Sequence, residues 1–228
     1  MRDHLHSKSH HGEATRGEVI HWAPVYNAVF GPLIRRTHAA VVELAAVSAG
    51  ERVLDVGCGT GSLAIALKAS VGPTGLVHGI DASPEMIEVA QRNASKAGAD
   101  VSLQAGLAEA IPFPDGTFGL VVSQLAIHHL PDDLKPSAFV EMRRVLKSGG
   151  RCLIVDFEPP KSVPGRLVAR LVIGPMMMHT NVKNYQAFLE NAGFNTVETG
   201  RTRHRLLSFI RGRATSPNSA MQSHGHRR

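Results

Sequence analysis

Cysteine and long apolar runs are both scarce in this chain of 228 residues. The two cysteines, Cys58 and Cys152, are far apart in the sequence, so a disulfide framework is not expected. The longest apolar stretch, 163–178, is broken by two arginines and two prolines, and it falls short of the roughly 20 residues that span a membrane. The N-terminus lacks the apolar segment of a signal peptide. We therefore expect a cytoplasmic protein.

The net charge of +6 is concentrated at the C-terminal end, because residues 201–228 contain seven arginines and no acid. This pattern indicates an exposed edge strand followed by a basic tail; the alternative is a surface for an anionic partner such as lipid headgroups or nucleic acid. Residues 1–17 and 214–228 are polar and are predicted to be disordered tails around a single domain, 18–213. The N-terminal histidines predict no metal site, because no cysteine or spaced carboxylate completes a ligand set.

Short apolar runs alternate with helical patterns between the tails, which is typical of a parallel sheet with crossover helices. Five runs are predicted as buried strands, at 52–56, 76–81, 101–105, 118–123 and 151–157. Helices are predicted at 62–69, 84–97, 134–146 and 181–191. Two further strands, 194–199 and 203–210, are close enough in sequence to form an antiparallel hairpin. The predicted fold class is α/β with seven strands, mostly parallel.

The segment Asp-Val-Gly-Cys-Gly-Thr-Gly, 55–61, joins the first strand to a helix. Its glycines, Gly57, Gly59 and Gly61, allow a sharp turn and a close approach to a ligand, and the helix offers free N–H groups to that ligand. A nicotinamide or flavin fingerprint requires a different glycine spacing, Gly-x-Gly-x-x-Gly. The acid at the strand end, Asp55, suits a cationic amino-acid ligand better than a pyrophosphate.

A second acid, Asp81, ends the second predicted strand. A carboxylate at this place can accept hydrogen bonds from two hydroxyls of a ribose. The alternative role is a helix cap, but Ser83, which is followed by Pro84 and Glu85, is the better N-cap. We therefore predict that Asp81 is a ribose ligand.

Four motifs, at 53–61, 79–86, 111–118 and 144–150, have the order and spacing found in class I methyltransferases. More narrowly, they resemble the branch of the ubiquinone/menaquinone C-methyltransferases (methyltransferase type 11), over roughly residues 20–200. The resemblance implies a Rossmann-like sheet with strand order 3-2-1-4-5-7-6. It also implies S-adenosylmethionine as the methyl donor, with S-adenosylhomocysteine as the product.

The resemblance assigns donor binding to residues spread over the domain. The methionine half would lie on the glycine loop, the ribose on Asp81, and the adenine beside Ala82 and Met86. Leu107 replaces the aspartate that usually binds the adenine amino group, so backbone N–H groups and packing would hold the adenine. The full set is Tyr26, Asp55, Gly57, Gly59, Gly61, Asp81, Ala82, Met86, Leu107, Ala108 and Gln124.

A shorter resemblance, over 21–31, is to bacterial phospholipid N-methyltransferases. It implies that Tyr26 closes over the donor; the alternative is that Tyr26 packs a helix against the sheet. His128 and His129 follow the fourth strand, at the edge where acceptors enter such sheets. An imidazole there can remove a proton from an acceptor, so His128 is the candidate catalytic residue, with a structural role as the alternative.

The sequence therefore predicts methyl transfer to a small-molecule or lipid-like acceptor, such as a quinone or a phospholipid. Residues 18–48 and 159–179 are expected to form an acceptor lid, and the apolar stretch 167–178 favours a hydrophobic acceptor. One alternative is a nucleic-acid methyltransferase that uses the basic end, although the 5% aromatic content argues against it. Another is a non-catalytic S-adenosylmethionine-binding protein, which Leu107 keeps open. Peripheral membrane contact through the basic tail also remains open.

Overall fold

Seven strands and five helices are formed by the residues that the computed structural model describes, 35–158, 182–204 and 206–214. The helices are α1 (35–45), α2 (Ser62–Val71), α3 (Pro84–Ala97), α4 (Lys135–Val145) and α5 (Tyr185–Asn191). The strands are β1 (Arg52–Val56), β2 (Leu76–Asp81), β3 (Ser102–Ala105), β4 (Phe118–Gln124), β5 (Leu146–Phe157), β6 (Phe194–Arg201) and β7 (Leu207–Ala214). Two 3-10 turns, Ile127–His129 and Val182–Asn184, precede α4 and α5.

The seven strands form one sheet in the order β3-β2-β1-β4-β5-β7-β6. Neighbours among β1 to β5 pair in parallel, whereas β7 pairs antiparallel with both β5 and β6. The predicted fold class and strand order are both confirmed. The parallel arrangement brings the carboxyl ends of β1, β2 and β4 to one edge of the sheet, next to the glycine loop.

Helices cover both faces of the sheet, and alternate strand residues point to opposite faces. Val53 of β1 and Val122 of β4 belong to the cluster that packs against α1, α2 and α3. Leu54 and Val121, their neighbours in the sequence, belong to the cluster that packs against α4 and α5. Strands buried on both faces are expected to be almost continuously apolar, which explains why the sequence located them well.

The start of α3 agrees with the predicted cap. The Ser83 hydroxyl accepts a hydrogen bond from the Met86 N–H at 3.2 Å, and Pro84 occupies the first helical turn. This cap satisfies a backbone donor that the helix itself leaves free. The carboxylate of Asp81 is therefore not the cap of this helix.

The prediction was wrong about the last strand, which begins at Leu207 and not at residue 203. Thr202 and His204 form a turn with Leu207: the Thr202 N–H donates to the Leu207 carbonyl at 3.0 Å, and the Leu207 N–H donates to the His204 carbonyl at 2.9 Å. Likewise, β5 begins at Leu146 and not at residue 151, and α5 begins at Tyr185 after a 3-10 turn.

Two arginines of the hairpin formed by β6 and β7 pair with acids, one from α1 and one from the hairpin itself. Arg203 pairs with Glu43 of α1 at 3.0 Å, and Arg211 pairs with Glu198 of β6 at 2.7 Å. Both pairs are exposed, so each contributes little to stability. Within the described residues, no helix is long and apolar enough to cross a bilayer.

Candidate active site

The glycine loop, residues 57–61, is fixed to β2 by its backbone. The N–H groups of Gly57 and Cys58 both donate to the Ile80 carbonyl, at 2.8 and 2.9 Å. The Asn93 side chain of α3 donates to the Thr60 carbonyl at 2.9 Å. The loop is thereby held from both sides, at the end of β2 and along α3.

The three loop glycines have positive φ angles but different surroundings. A Cβ built on Gly57 would lie 2.3 Å from the Ala126 Cβ, and one built on Gly61 would lie 2.9 Å from the Ala90 Cβ. A Cβ on Gly59 would meet no atom within 4 Å. Gly57 and Gly61 therefore allow close packing within the protein, whereas Gly59 leaves the backbone open for a ligand to lie against it.

The carboxylate of Asp81 connects the loop to α3. One oxygen accepts the Gly59 N–H at 2.8 Å and the other accepts the Ser83 N–H at 2.9 Å. Burial raises the pKa of this carboxyl, while the two hydrogen bonds oppose the increase. Each carboxylate oxygen can accept more than one hydrogen bond, so the predicted ribose contacts are compatible with this geometry.

Asp55 lies behind the loop in β1, with 1% of its surface exposed. Its Oδ2 atom has no hydrogen-bond partner among the described residues. Burial, reinforced by the negative charge of Asp81, raises the pKa of Asp55 to about 8, against the effect of the Ala64 backbone N–H. A carboxyl with this pKa is mostly protonated at pH 7, and a bound cation would favour its ionised form.

The β4 rim, residues 123–129, faces α1 across the loop. The Gln124 amide donates to the Thr37 hydroxyl, and the His38 Nε2 lies 3.5 Å from the Ser62 hydroxyl at the start of α2. Burial and then Arg35 lower the pKa of His38 to about 4. The first described turn of α1 thus contacts both the β4 rim and the helix that follows the loop.

Five buried side-chain atoms in the described part of the chain have no hydrogen-bond partner: Asp55 Oδ2, Ser123 Oγ, Gln124 Oε1, His128 Nε2 and His129 Nδ1. All five lie at the carboxyl ends of β1 and β4. Such atoms are rare and costly in folded proteins, so their concentration at one edge of the sheet indicates a ligand site.

Asp156 and Tyr185 were not among the predicted site residues; Asp156 contacts His128, and Tyr185 contacts Asp156. The Asp156 side chain is fully buried at the end of β5, and its Oδ1 lies 2.7 Å from the His128 Nδ1. The Tyr185 hydroxyl at the start of α5 donates to the Asp156 Oδ2 at 3.3 Å. The sequence feature that could have pointed to Asp156 is that it is the single acid in the otherwise apolar run 152–157.

The remaining predicted ligands occupy three places. Ala82 is exposed after β2, and Met86 is buried in the first turn of α3. Leu107 and Ala108 lie in a short turn after β3, where the Ala110 N–H donates to the Leu107 carbonyl at 3.3 Å. Tyr26 lies outside the described residues, as do 18–34 and 159–179 of the predicted lid.

The nearby segment 111–116 is held by Arg144 of α4. Its guanidinium donates to the carbonyls of Ile111 and Phe113, both at 2.8 Å, and pairs with Asp115 at 2.7 Å. The neighbouring Glu141 accepts from Arg144 and from the Ile111 N–H. One arginine thus fixes the chain that follows the predicted adenine turn.

Comparisons with known proteins agree with this geometry. A methyltransferase domain model matches residues 53–150. The ubiquinone/menaquinone biosynthesis C-methyltransferase UbiE of Pseudomonas putida is 31% identical over 193 residues, covering 74% of this chain and 73% of that protein. The chain belongs to the S-adenosylmethionine-dependent methyltransferases, in the UbiE-like branch. This confirms the resemblance to the ubiquinone/menaquinone branch and its donor, whereas the shorter resemblance over 21–31 stays a prediction.

Other relatives match a shorter part of this chain. The demethylmenaquinone methyltransferase of Thermus thermophilus is 38% identical over 142 residues, covering 62% of this chain and 63% of the relative. The uncharacterized methyltransferase YcgJ of Bacillus subtilis is 40% identical over 122 residues, covering 53% of this chain. The chain spans about half of the length of YcgJ (46%).

The fold of a methyltransferase is also found among solved structures. A SAM-dependent methyltransferase from Aquifex aeolicus superposes with a TM-score of 0.67 at 23% identity, covering 78% of this chain and 89% of that one. At this identity the likeness concerns the fold alone. The glycine loop and both acids lie in the part of this fold that runs from β1 to α3.

The residues at the loop fit S-adenosylmethionine on physical grounds. The open face of Gly59 would be closed by any Cβ, and the unpartnered Oδ2 of Asp55 offers an acceptor to an ammonium group. When bound, the donor supplies a methyl group that its sulfonium already activates. The protein then has to hold the donor, exclude water and align the acceptor.

Proposed function

We propose that this chain transfers a methyl group from S-adenosylmethionine to an apolar acceptor of the quinone class in its reduced, hydroxyl-bearing form. The observation that carries the proposal is the set of five polar atoms at the carboxyl ends of β1 and β4 that have no partner in the described part of the chain, beside the open face of Gly59. The names of the relatives, demethylmenaquinone methyltransferase and UbiE, support the acceptor class.

Donor binding is proposed for the residues around the glycine loop. Asp55 would receive the ammonium group, the loop backbone at Gly59 would contact the methionine half, and Asp81 would receive the ribose. Ala82, Met86 and the turn at Leu107 and Ala108 would surround the adenine, and Tyr26 would cover the donor. Asp81 supports this arrangement even without ligand, because it fixes the Gly59 N–H at 2.8 Å.

Acceptor binding is proposed for the ends of β4 and β5. Leu125 and Phe157 are partly buried apolar side chains at these ends, and the Phe157 ring lies 5.6 Å from the His128 ring. Gln124 and His128 add the few polar atoms that would orient a hydroxyl-bearing ring. An apolar surface with a few polar atoms is typical of small-molecule sites.

The test is a labelling experiment on the full chain. Donor carrying a labelled methyl group is supplied with reduced demethylmenaquinone in one reaction and with phosphatidylethanolamine vesicles in another. We expect label in the quinone, and at least tenfold less with Asp81→Ala, whose donor affinity is measured separately by calorimetry. Label on the phospholipid, or on neither acceptor by a chain that binds the donor, would contradict the proposal.

A further inference from the structure

The Asp156 network consists of His128, Asp156 and Tyr185, three buried residues from the β4 rim, β5 and α5. Asp156 Oδ1 accepts from the His128 Nδ1 at 2.7 Å and from the Phe157 N–H at 2.8 Å. Its Oδ2 accepts from the His128 backbone N–H at 3.2 Å and from the Tyr185 hydroxyl at 3.3 Å. Four donors thus fix one carboxylate, which explains how it is tolerated without solvent.

The orientation of Asp156 determines which nitrogen of His128 carries the proton. A carboxylate accepts hydrogen bonds, so the His128 Nδ1 carries a proton toward it and the Nε2 of the neutral ring keeps a lone pair. That Nε2 atom is buried and has no partner among the described residues. The same pairing of a carboxylate with one ring nitrogen prepares the other nitrogen as a base in hydrolytic triads.

The neighbouring His129 is a poorer candidate for a base. Its ring centroid lies 4.0 Å from that of His128, and among the described residues no carboxylate lies within hydrogen-bond distance of its ring. Burial lowers the pKa of His129 to about 4, and the neighbouring His128 lowers it further toward that value, so the His129 ring is a weak base. Between the two histidines of the rim, the carboxylate contact distinguishes His128.

We propose that His128 is the catalytic residue that accepts the hydroxyl proton of the acceptor at Nε2, with Asp156 and Tyr185 as positioning residues. The inference rests on the proposed function, because it deepens the description of that acceptor as a hydroxyl-bearing ring. The hydroxyl would supply the hydrogen bond that Nε2 does not receive from any described residue. Making that bond on binding also removes the cost of an unsatisfied buried atom.

The step balances for a quinol that is methylated on carbon. The acceptor hydroxyl gives its proton to Nε2, and the ring carbon bonds to the methyl carbon while the carbon–sulfur bond breaks with its electron pair remaining on sulfur. The ring then loses its C–H proton to water, and the acceptor oxygen regains a proton from His128. One proton is released in total, and the imidazole returns to its starting state.

The activity test compares two acceptors of similar size under anaerobic conditions: 1,4-naphthalenediol and a derivative that is fluorinated on the ring remote from the hydroxyls. The fluorinated diol is the stronger acid and depends less on a base. General-base catalysis contributes about 10²–10⁴-fold in rate, so His128→Asn should lower kcat/KM at least tenfold on 1,4-naphthalenediol. The loss on the fluorinated diol should be at least threefold smaller. Equal losses on both would overturn the proposal.

The positioning residues are tested on the protein alone. Nitrogen-15 NMR of the ligand-free chain should find His128 with the proton on Nδ1, and Asp156→Leu should abolish that preference, since the leucine side chain has no acceptor for the His128 N–H. Tyr185→Phe removes a single hydrogen bond and serves as the milder variant if Asp156→Leu does not fold. We expect this variant to weaken the Nδ1 preference and to lower kcat while donor affinity stays unchanged. A proton on Nε2 in the parent chain would overturn the proposal.

The two readouts separate this proposal from the proposed function. If the parent chain binds the donor but methylates neither diol, the proposed acceptor class is wrong, and the NMR tautomer still decides the role of Asp156. If the parent chain methylates both diols and His128→Asn loses activity equally on both, the proposed acceptor class stands and the base is another group.

Discussion

Donor binding should release a proton from Asp55. This carboxyl is buried in β1, one of its oxygens has no hydrogen-bond partner among the described residues, and burial raises its pKa from an ordinary 3.8 to about 8. At pH 7 a group with that pKa is protonated in roughly 90% of molecules. A bound ammonium group favours the carboxylate, so donor binding at pH 7 should release up to about 0.9 proton.

The release is measured by calorimetry of S-adenosylmethionine binding at pH 7 in two buffers with different ionisation enthalpies. The apparent binding enthalpy of the parent chain should differ between the buffers in proportion to the released proton. Asp55→Asn keeps the shape of the side chain but has no proton to release, so its enthalpy should be independent of the buffer. Buffer-independent binding by the parent, or equal dependence in both chains, would refute the reasoning.

The same carboxyl affects stability in a direction fixed by its pKa. Folding raises the pKa of Asp55, so its protonated carboxyl contributes fully to the free energy of unfolding below pH 4. This contribution is lost as the pH rises toward 8. The shift from 3.8 to about 8 corresponds to at most about 6 kcal/mol over this range. The free energy of unfolding of the ligand-free parent should therefore fall more steeply between pH 4 and pH 8 than that of Asp55→Asn, as urea titrations would measure.

Two further predictions concern the proposed donor site. Gly61→Ala should lower the free energy of unfolding by about 2 kcal/mol or more, because its Cβ would lie 2.9 Å from the Ala90 Cβ at a positive φ. Gly59→Ala should lower it by only about 1 kcal/mol, because its Cβ would meet no atom within 4 Å, and should mainly weaken donor binding. Urea titration and calorimetry measure both effects, and equal donor affinity in Gly59→Ala and the parent would exclude Gly59 from the site. Leu107→Asp should leave donor affinity equal or improved, because it restores the acid usual in the family; a tenfold loss by a folded variant would mean that the adenine is held elsewhere.

The glycine loop and the start of α3 could be predicted because their determinants are local. The roles predicted for Asp55, the three glycines and Ser83 depend on residues only a few positions away. Such local patterns can be read from a single sequence. The contact between Gly59 and Asp81 joins the loop after β1 to the end of β2. These two places are far apart in the sequence, yet the α/β alternation predicts that they lie at one edge of the sheet.

The Asp156 network could not be predicted in the same way. Asp156 lies 28 residues from His128 and 29 from Tyr185, and no local spacing relates the three. Their contact depends on how α5 packs against the end of β5. The start of β7 was missed for a related reason, because residues 202–207 close a turn through hydrogen bonds that a propensity for strand does not reveal.

The division of the sheet into two faces has a consequence for how such a protein changes over generations. Strand alternation puts Gln124 on the face of α1 and α2, whereas Asp156 points toward α4 and α5. Under the proposed roles, mutations at Asp156 and Tyr185 would alter how an acceptor is deprotonated, while the contact between Gln124 and Thr37 on the opposite face would stay in place. Paired changes at these two positions would then give access to new acceptors with the same methyl donor.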